Sequence, residues 1–371
     1  MTDEQRTKIN RILDQYKTGT CTAEELAWLN DFYLRAEQHV DLPSDLDLVT
    51  DLMDLQDRMG SHSDKRNNGR LSWWKLTSIA AAAILCIAVG LFFWFKNDPK
   101  RIQAESLQIA KEILPGKNRA LLILDGAENI AINGEHDSLI SLNGRLHFGD
   151  GQIIDTKDRI RQITLKTPNA GQFETILPDG TRAWLNAASS ISYPSEFSDV
   201  QREVQLTGEV FLTVAKDQRR PFIVKTSKQQ IQVLGTSFNV QAYENQKYQY
   251  TTLEEGSLKI IGSSGQGSRI LKPGQQAVVS DQRVISVQEV PLETISSWKD
   301  GVYVVQDLSL AEFGVQLARW YDIEVDMGKH KDRKLSAMIP RDVPLATVLE
   351  AITLNTQINF KVKERRLSTV D

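Results

Sequence analysis

The chain has 371 residues, 41% of them hydrophobic, and a net charge of −4. That is long enough for two or three domains with packed cores. Residues 1–64 carry fourteen acidic and six basic side chains, so this stretch sums to −8 and the remainder to +4. An acidic leading segment is repelled by nucleic-acid phosphates and suits a basic protein partner; with only two cysteines, Cys21 and Cys86, a disulfide scaffold is excluded.

Residues 1–70 read as a small all-α unit of three helices and a polar linker. Ile9, Ile12, Leu13 and Tyr16 recur at helical spacing before Gly19. The second helix opens on Thr22-Ala-Glu-Glu25, a capping box in which the hydroxyl and the carboxylate satisfy each other's orphan N–H groups. Leu26, Leu29 and Tyr33 then share one face. A third run passes through Leu48, Leu52, Leu55 and Met59, and Asp64–Arg70 is polar throughout. About sixty residues make a marginal core, so the unit reads equally as a self-sufficient bundle and as one completed by a partner.

Leu76–Phe95 contains no charged residue. As a helix it covers the ~30 Å hydrocarbon core of a bilayer. Trp73, Trp74 and Trp94 stand at its two ends, where aromatic rings favour the headgroup level. The sequence therefore predicts a transmembrane helix within 71–96. Basic residues flank it almost equally, so they do not orient it. The cysteine-free stretch beyond the helix favours an N-terminus in the cytosol and an exported C-terminal part.

Residues 97–114 read as a linker or helix closed by Pro115-Gly116. From there to 290 the pattern is all-β. Short alternating runs such as Leu139–Leu142, Phe173–Leu177 and Gln230–Leu234 are punctuated by Asp-Gly and Asn-Gly turns. Stacked sheets, a jelly roll or a short solenoid all fit. Residues 298–371 form a second exported domain, an α+β unit read as a repeated strand–helix–strand. Its helices lie at Leu310–Tyr321 and Leu345–Leu354, each with an apolar face.

Catalytic signatures are missing. The five histidines are scattered, and no C-x-x-C, H-E-x-x-H, Walker loop or G-x-S-x-G occurs. No cofactor, metal site or turnover enzyme is expected. Gly235-Thr236 reads as an ordinary turn before a strand.

Five segments in order carry a resemblance: Leu177-Pro-Asp-Gly-Thr-Arg-Ala-Trp-Leu-Asn186, Leu206-Thr-Gly-Glu-Val-Phe-Leu-Thr-Val-Ala-Lys216, Arg220-Pro-Phe-Ile-Val-Lys-Thr226, Leu234-Gly-Thr-Ser-Phe-Asn-Val-Gln-Ala-Tyr243 and Leu253-Glu-Glu-Gly-Ser257. Together they resemble the periplasmic domain of FecR-type transmembrane anti-sigma factors, particularly those of Bacteroidetes. Tyr16–Leu26 is similar to that family's cytosolic opening. Residues 298–371 resemble its appended module, which is related to the N-terminal domain of secretins and TonB-dependent receptors. Asn169-Ala170-Gly171 stands where the family usually has a glycine pair, and only a local turn is expected to differ.

The resemblance implies a single-pass inner-membrane protein with a cytoplasmic N-terminus. Its tail would sequester an extracytoplasmic-function sigma factor through Ile9, Ile12, Leu13, Tyr16, Leu26, Leu29 and Tyr33. Its periplasmic part, FecR-like over 115–290, would take a signal from the N-terminal signalling domain of a TonB-dependent outer-membrane transporter. Some relatives cleave themselves at a Gly-Thr pair, so the resemblance gives Gly235-Thr236 a second reading, attack of the threonine hydroxyl on the adjacent carbonyl. The alternative is a membrane-anchored periplasmic adaptor or carbohydrate-binding protein with an inert tail.

Overall fold

A computed structural model describes residues 99–370, apart from 126–127, 143, 155–159, 263–266, 281–284 and 295. Helix α1 (Pro99–Glu112) leads through Pro115 and Gly116 into seventeen strands that hydrogen-bond as one continuous sheet. These are β1 (Lys117–Leu124), β2 (Glu128–Asn133), β3 (Ser138–Leu142), β4 (Arg145–Phe148), β5 (Gln162–Thr167) and β6 (Gly171–Ile176). Next come β7 (Arg182–Leu185), β8 (Ser189–Pro194), β9 (Arg202–Thr213), β10 (Phe222–Lys225), β11 (Gln229–Val233) and β12 (Ser237–Ala242). The last are β13 (Gln249–Glu255), β14 (Leu258–Gly262), β15 (Ser268–Leu271), β16 (Gln275–Val279) and β17 (Ile285–Glu289).

The sheet folds into two layers. One runs β2-β1-β5-β8-β9-β10-β11-β14-β15. The other runs β4-β3-β6-β7-β9-β12-β13-β16-β17. Strand β9 belongs to both. Its first half pairs with β8 and β10, and its second half, from Gly208, pairs with β7 and β12. A short parallel contact between the start of β1 and β6 joins the layers a second time, giving a barrel-like closure.

Gly208 makes the corner. Its φ is +81°, and a Cβ there would lie 2.5 Å from the Ser189 Cα, so no side chain fits. Alternation does the rest. Strands such as β5, β6 and β8 bury every second residue, and Leu122, Ile163, Leu185, Ile191, Val210 and Phe238 meet between the layers with no exposed surface.

One buried ion pair ties the Leu177-Pro-Asp-Gly-Thr turn to the chain after β9. Arg202 Nη1 donates to Asp179 Oδ2 at 2.7 Å, with the two side chains 0% and 4% exposed. The same guanidinium donates to the carbonyls of Ala215 and Arg220, at 2.7 and 2.9 Å. Thr181 Oγ1–H donates to the Asp179 carboxylate at 2.8 Å and accepts from the Ala215 N–H at 3.1 Å.

The C-terminal domain has strands β18 (Val302–Ser309), β19 (Glu324–Asp326), β20 (Lys334–Pro340), β21 (Phe360–Lys363) and β22 (Arg366–Thr369). Its helices are α2 (Leu310–Tyr321) and α3 (Leu345–Thr356). Ser309 and Glu312 close a full capping box on α2. Asp307, the acid that precedes this helix in sequence, instead sits at a positive φ within an irregularity of β18.

The fold class expected from the sequence is corrected. The described chain is mostly β, with three α-helices, and all three pack into the C-terminal domain: Ala110 and Ile113, in and just after α1, share its core with Leu310, Phe313, Leu345 and Ile352. No helix among the described residues is long and apolar enough to cross a membrane. The expected all-α unit and the Leu76–Phe95 span lie outside the described residues.

The repeated strand–helix–strand pattern is corrected too. The leading strands of the two halves, β18 and β20, pair antiparallel with each other. The trailing strands, β19 and β21, flank a strand the pattern did not contain, β22, parallel and antiparallel respectively. The β21–β22 hairpin turns at Glu364 with φ +54°. No glycine or asparagine marks that turn, which is why the sequence reads past it.

Asp179→Ala should destabilise the layered sheet by about 3–5 kcal/mol, because it leaves the Arg202 charge buried without its partner. Urea unfolding followed by circular dichroism measures this.

Candidate functional site

Three polar side chains of the ordered motifs meet at one place. Asn186 ends the β7 segment, Glu209 follows the Gly208 corner, and Asn239 lies in β12. Asn186 Nδ2 donates to Glu209 Oε2 at 2.8 Å, and Asn239 Nδ2 donates to Glu209 Oε1 at 2.9 Å. The carboxylate is thus held by two amides at the surface where the C-terminal domain docks.

The C-terminal domain brings Arg341 to this point, from the connection between β20 and α3. Arg341 is 2% exposed. Its Nη2 donates to Asn186 Oδ1 at 2.8 Å and its Nη1 to the Trp298 carbonyl at 2.5 Å. The guanidinium lies 3.8 Å from the centroid of the Trp320 ring, and Trp320 Nε1–H donates to the Arg341 carbonyl at 2.8 Å. Trp298 packs against Phe211, and its indole N–H points to Asn239 Oδ1 at 3.4 Å.

A second arginine, Arg319 on α2, stacks over Tyr243 at 3.4 Å. Tyr243 donates its hydroxyl to the Ala187 carbonyl at 2.9 Å. Burial raises the Tyr243 pKa, helped by the nearby Glu209 charge. Tyr303 is pushed up to about 12 by burial, against the pull of Arg341. Both are therefore neutral phenols at pH 7. Asn186, Glu209, Tyr243, Trp298, Tyr303, Arg319, Trp320 and Arg341 enclose a cavity of about 80 Å³.

The Asn169-Ala170-Gly171 turn also belongs to this joint. Ala170 holds φ +51°, and its N–H donates to the Arg319 carbonyl at 2.7 Å. Asn169 Nδ2 donates to Asp322 Oδ1 at 3.0 Å. The departure from a glycine pair adds one side-chain contact with the C-terminal domain, that of Asn169, while the Ala170 contact is made by backbone.

Gly235 and Thr236 lie elsewhere. Gly235 has φ +154° and packs so closely on Lys216 that a Cβ would be 2.9 Å from the Lys216 Cα. Thr236 is 6% exposed. Its hydroxyl donates to the Ser257 carbonyl at 3.0 Å, and its own carbonyl accepts from the Val214 N–H at 3.0 Å. The sequence-derived contact residues Ile9, Ile12, Leu13, Tyr16, Leu26, Leu29 and Tyr33 lie outside the described residues. No group of three or more His, Cys, Asp or Glu among the described residues is placed to hold a metal ion.

Residues 163–259 match the FecR protein family model, and residues 302–369 match the model of the FecR C-terminal domain. Its layered sheet and C-terminal domain match the FecR family. No curated protein matches it. Two crystal structures of a candidate anti-sigma factor from Parabacteroides distasonis ATCC 8503 are similar to it, each with 26% identity and a TM-score of 0.52. The match covers 57% of this chain and 99% of the first of those chains, and 56% and 98% for the second.

The first matched range runs from β5 into β14, and the second covers the C-terminal domain. The cavity is lined from both. Trp298 falls in neither, on the connection between them. Arg319, Trp320, Tyr303 and Arg341 were not singled out by sequence reasoning as site residues. Their one visible signal is an arginine beside a tryptophan at the end of an amphipathic helix.

Gly116 is tied to the joint as well, since a Cβ there would stand 2.5–2.9 Å from three carbons of the Trp320 ring. Gly116→Val should therefore cost about 1–3 kcal/mol by overpacking and change the environment of Trp320. Thermal melts and tryptophan emission spectra check both effects.

Proposed function

We propose that this FecR-family chain is an anti-sigma factor that binds an extracytoplasmic-function sigma factor through residues 1–70. The observation that carries the reading is the paired match to the FecR and FecR C-terminal models, together with similarity to the Parabacteroides candidate anti-sigma factor. In this reading the tail faces the cytosol and the described domains face the periplasm. There they take a signal from the N-terminal domain of a TonB-dependent transporter. The joint described above supports such a role, because hydrogen bonds and stacked rings couple the C-terminal domain to the layered sheet.

The protein works in this proposal by binding and not by turnover. Gly235-Thr236 serves as a structural turn: glycine permits the close approach to Lys216, and the threonine hydroxyl satisfies the Ser257 carbonyl. A membrane-anchored adaptor with an inert tail is the competing reading, and the tail decides between them.

Substituting Leu13 and Leu29 together by alanine should release sigma-dependent transcription at unchanged protein level. Each well-packed anchor lost from an interface typically costs ~2 kcal/mol or more. A double variant that holds the sigma factor as tightly as the parent would sink the assignment. For the turn, the freshly made chain should run intact on a gel, and Thr236→Ala should lower stability by about 1–3 kcal/mol through the unsatisfied carbonyl. A C-terminal fragment beginning at Thr236, present in the parent and lost in the alanine variant, would instead establish self-cleavage.

A further inference from the structure

We propose that the cavity at the domain joint is a binding site for a small carboxylate, held by Arg341, Arg319 and Tyr303. Three buried polar atoms of these residues, Arg341 Nε, Arg319 Nη2 and Tyr303 Oη, have no acceptor or donor at hydrogen-bond distance in the protein, and Tyr303 Oη feels the Arg341 guanidinium only at longer range. All three residues line the same cavity. Arg341 and Tyr303 are 2% and 5% exposed, so bulk water does not serve them. Buried donors left unpaired are rare in folded proteins and mark a site where something else accepts.

Charge distinguishes an anion from water. The cavity wall carries two guanidinium groups and one carboxylate, Glu209. Glu209 is already bound on both oxygens by Asn186 and Asn239. Arg341 makes its own side-chain bonds to two neutral acceptors, Trp298 O and Asn186 Oδ1. One positive charge therefore stays uncompensated in a largely dehydrated place, which is costly. A water molecule can accept the hydrogen bonds but leaves the charge; a monoanion answers both.

Shape narrows the class. Planar guanidinium donors suit the two oxygens of a carboxylate. The aromatic rings of Trp298, Trp320, Tyr243 and Tyr303 offer apolar walls to a short alkyl group. A single water needs roughly 10–15 Å³ of such space, so about 80 Å³ admits one small organic anion. The enclosure between two docked domains excludes a polypeptide segment. All three ligands come from the C-terminal domain, and Asn186 and Glu209 of the sheet form the facing wall. This inference does not rest on the sigma-binding reading, because its test reads the joint alone.

The test titrates the purified full chain with sodium acetate, against sodium chloride and sodium phosphate at matched ionic strength. Tryptophan fluorescence and melting temperature are read together. Acetate should give a saturable change in both that chloride does not reproduce. Arg319→Gln and Tyr303→Phe, which leave the hydrogen bonds of Arg341 in place, should each raise the half-saturating concentration at least tenfold. Should one variant fail to fold, the other carries the comparison. Identical responses to acetate and chloride, or variants that titrate like the parent, would overturn the proposal. So would a crystal grown in acetate that shows only water between Arg341 Nε and Tyr303 Oη. A saturable response to phosphate alone would overturn the carboxylate assignment.

Discussion

The structure depends on one strand that serves two layers. Arg202–Thr207 of β9 build one face of the sheet, Gly208–Thr213 build the other, and the corner between them admits only glycine. Without that corner the seventeen strands could not share one core, because each layer would end at an open edge beside β9. The same bend places the polar groups of the joint. Glu209 follows the corner directly, so the geometry that folds the sheet also aims a carboxylate at Asn186 and Asn239.

Those two asparagines are where the sheet meets the C-terminal domain. A buried arginine is weak evidence for stability, since removing it from water costs about as much as its contacts return. Arg341 is better understood as a specificity device. Its donors reach Asn186 and Trp298 only when the domain sits in one register on the sheet. The stacked pairs Arg341–Trp320 and Arg319–Tyr243 require the same register. Displacement would take its acceptors from Arg341 and its stacked ring from Arg319. A joint built this way has one favoured arrangement and a sharp penalty for others.

The contrast with the Asp179–Arg202 pair is instructive. That pair lies wholly within the layered sheet, and every neighbour that could satisfy it comes from nearby turns. It holds a fold together. The joint's arginines instead line a cavity between the sheet and the C-terminal domain, so their environment can change without the fold being lost.

Much of this was legible in the sequence. Period-two alternation placed strands at segments such as Phe173–Leu177 and Gln230–Leu234, and the ordered motifs pointed to the FecR family. Apolar spacing likewise placed helices at α2 and α3. Local pattern suffices there because burial of alternate or every third and fourth residue is a property of the segment itself. It does not say which strand lies beside which, so the two-layer order, the shared strand β9 and the pairing of β18 with β20 came only from the tertiary structure. The β21–β22 turn was invisible because Glu364 adopts a positive φ without a glycine to announce it. The joint was invisible for a deeper reason. Arg341 and Asn186 are 155 residues apart, and neither has an unusual neighbour in sequence; what makes them a site is the cost of burying a charge, which exists only once the domains have docked.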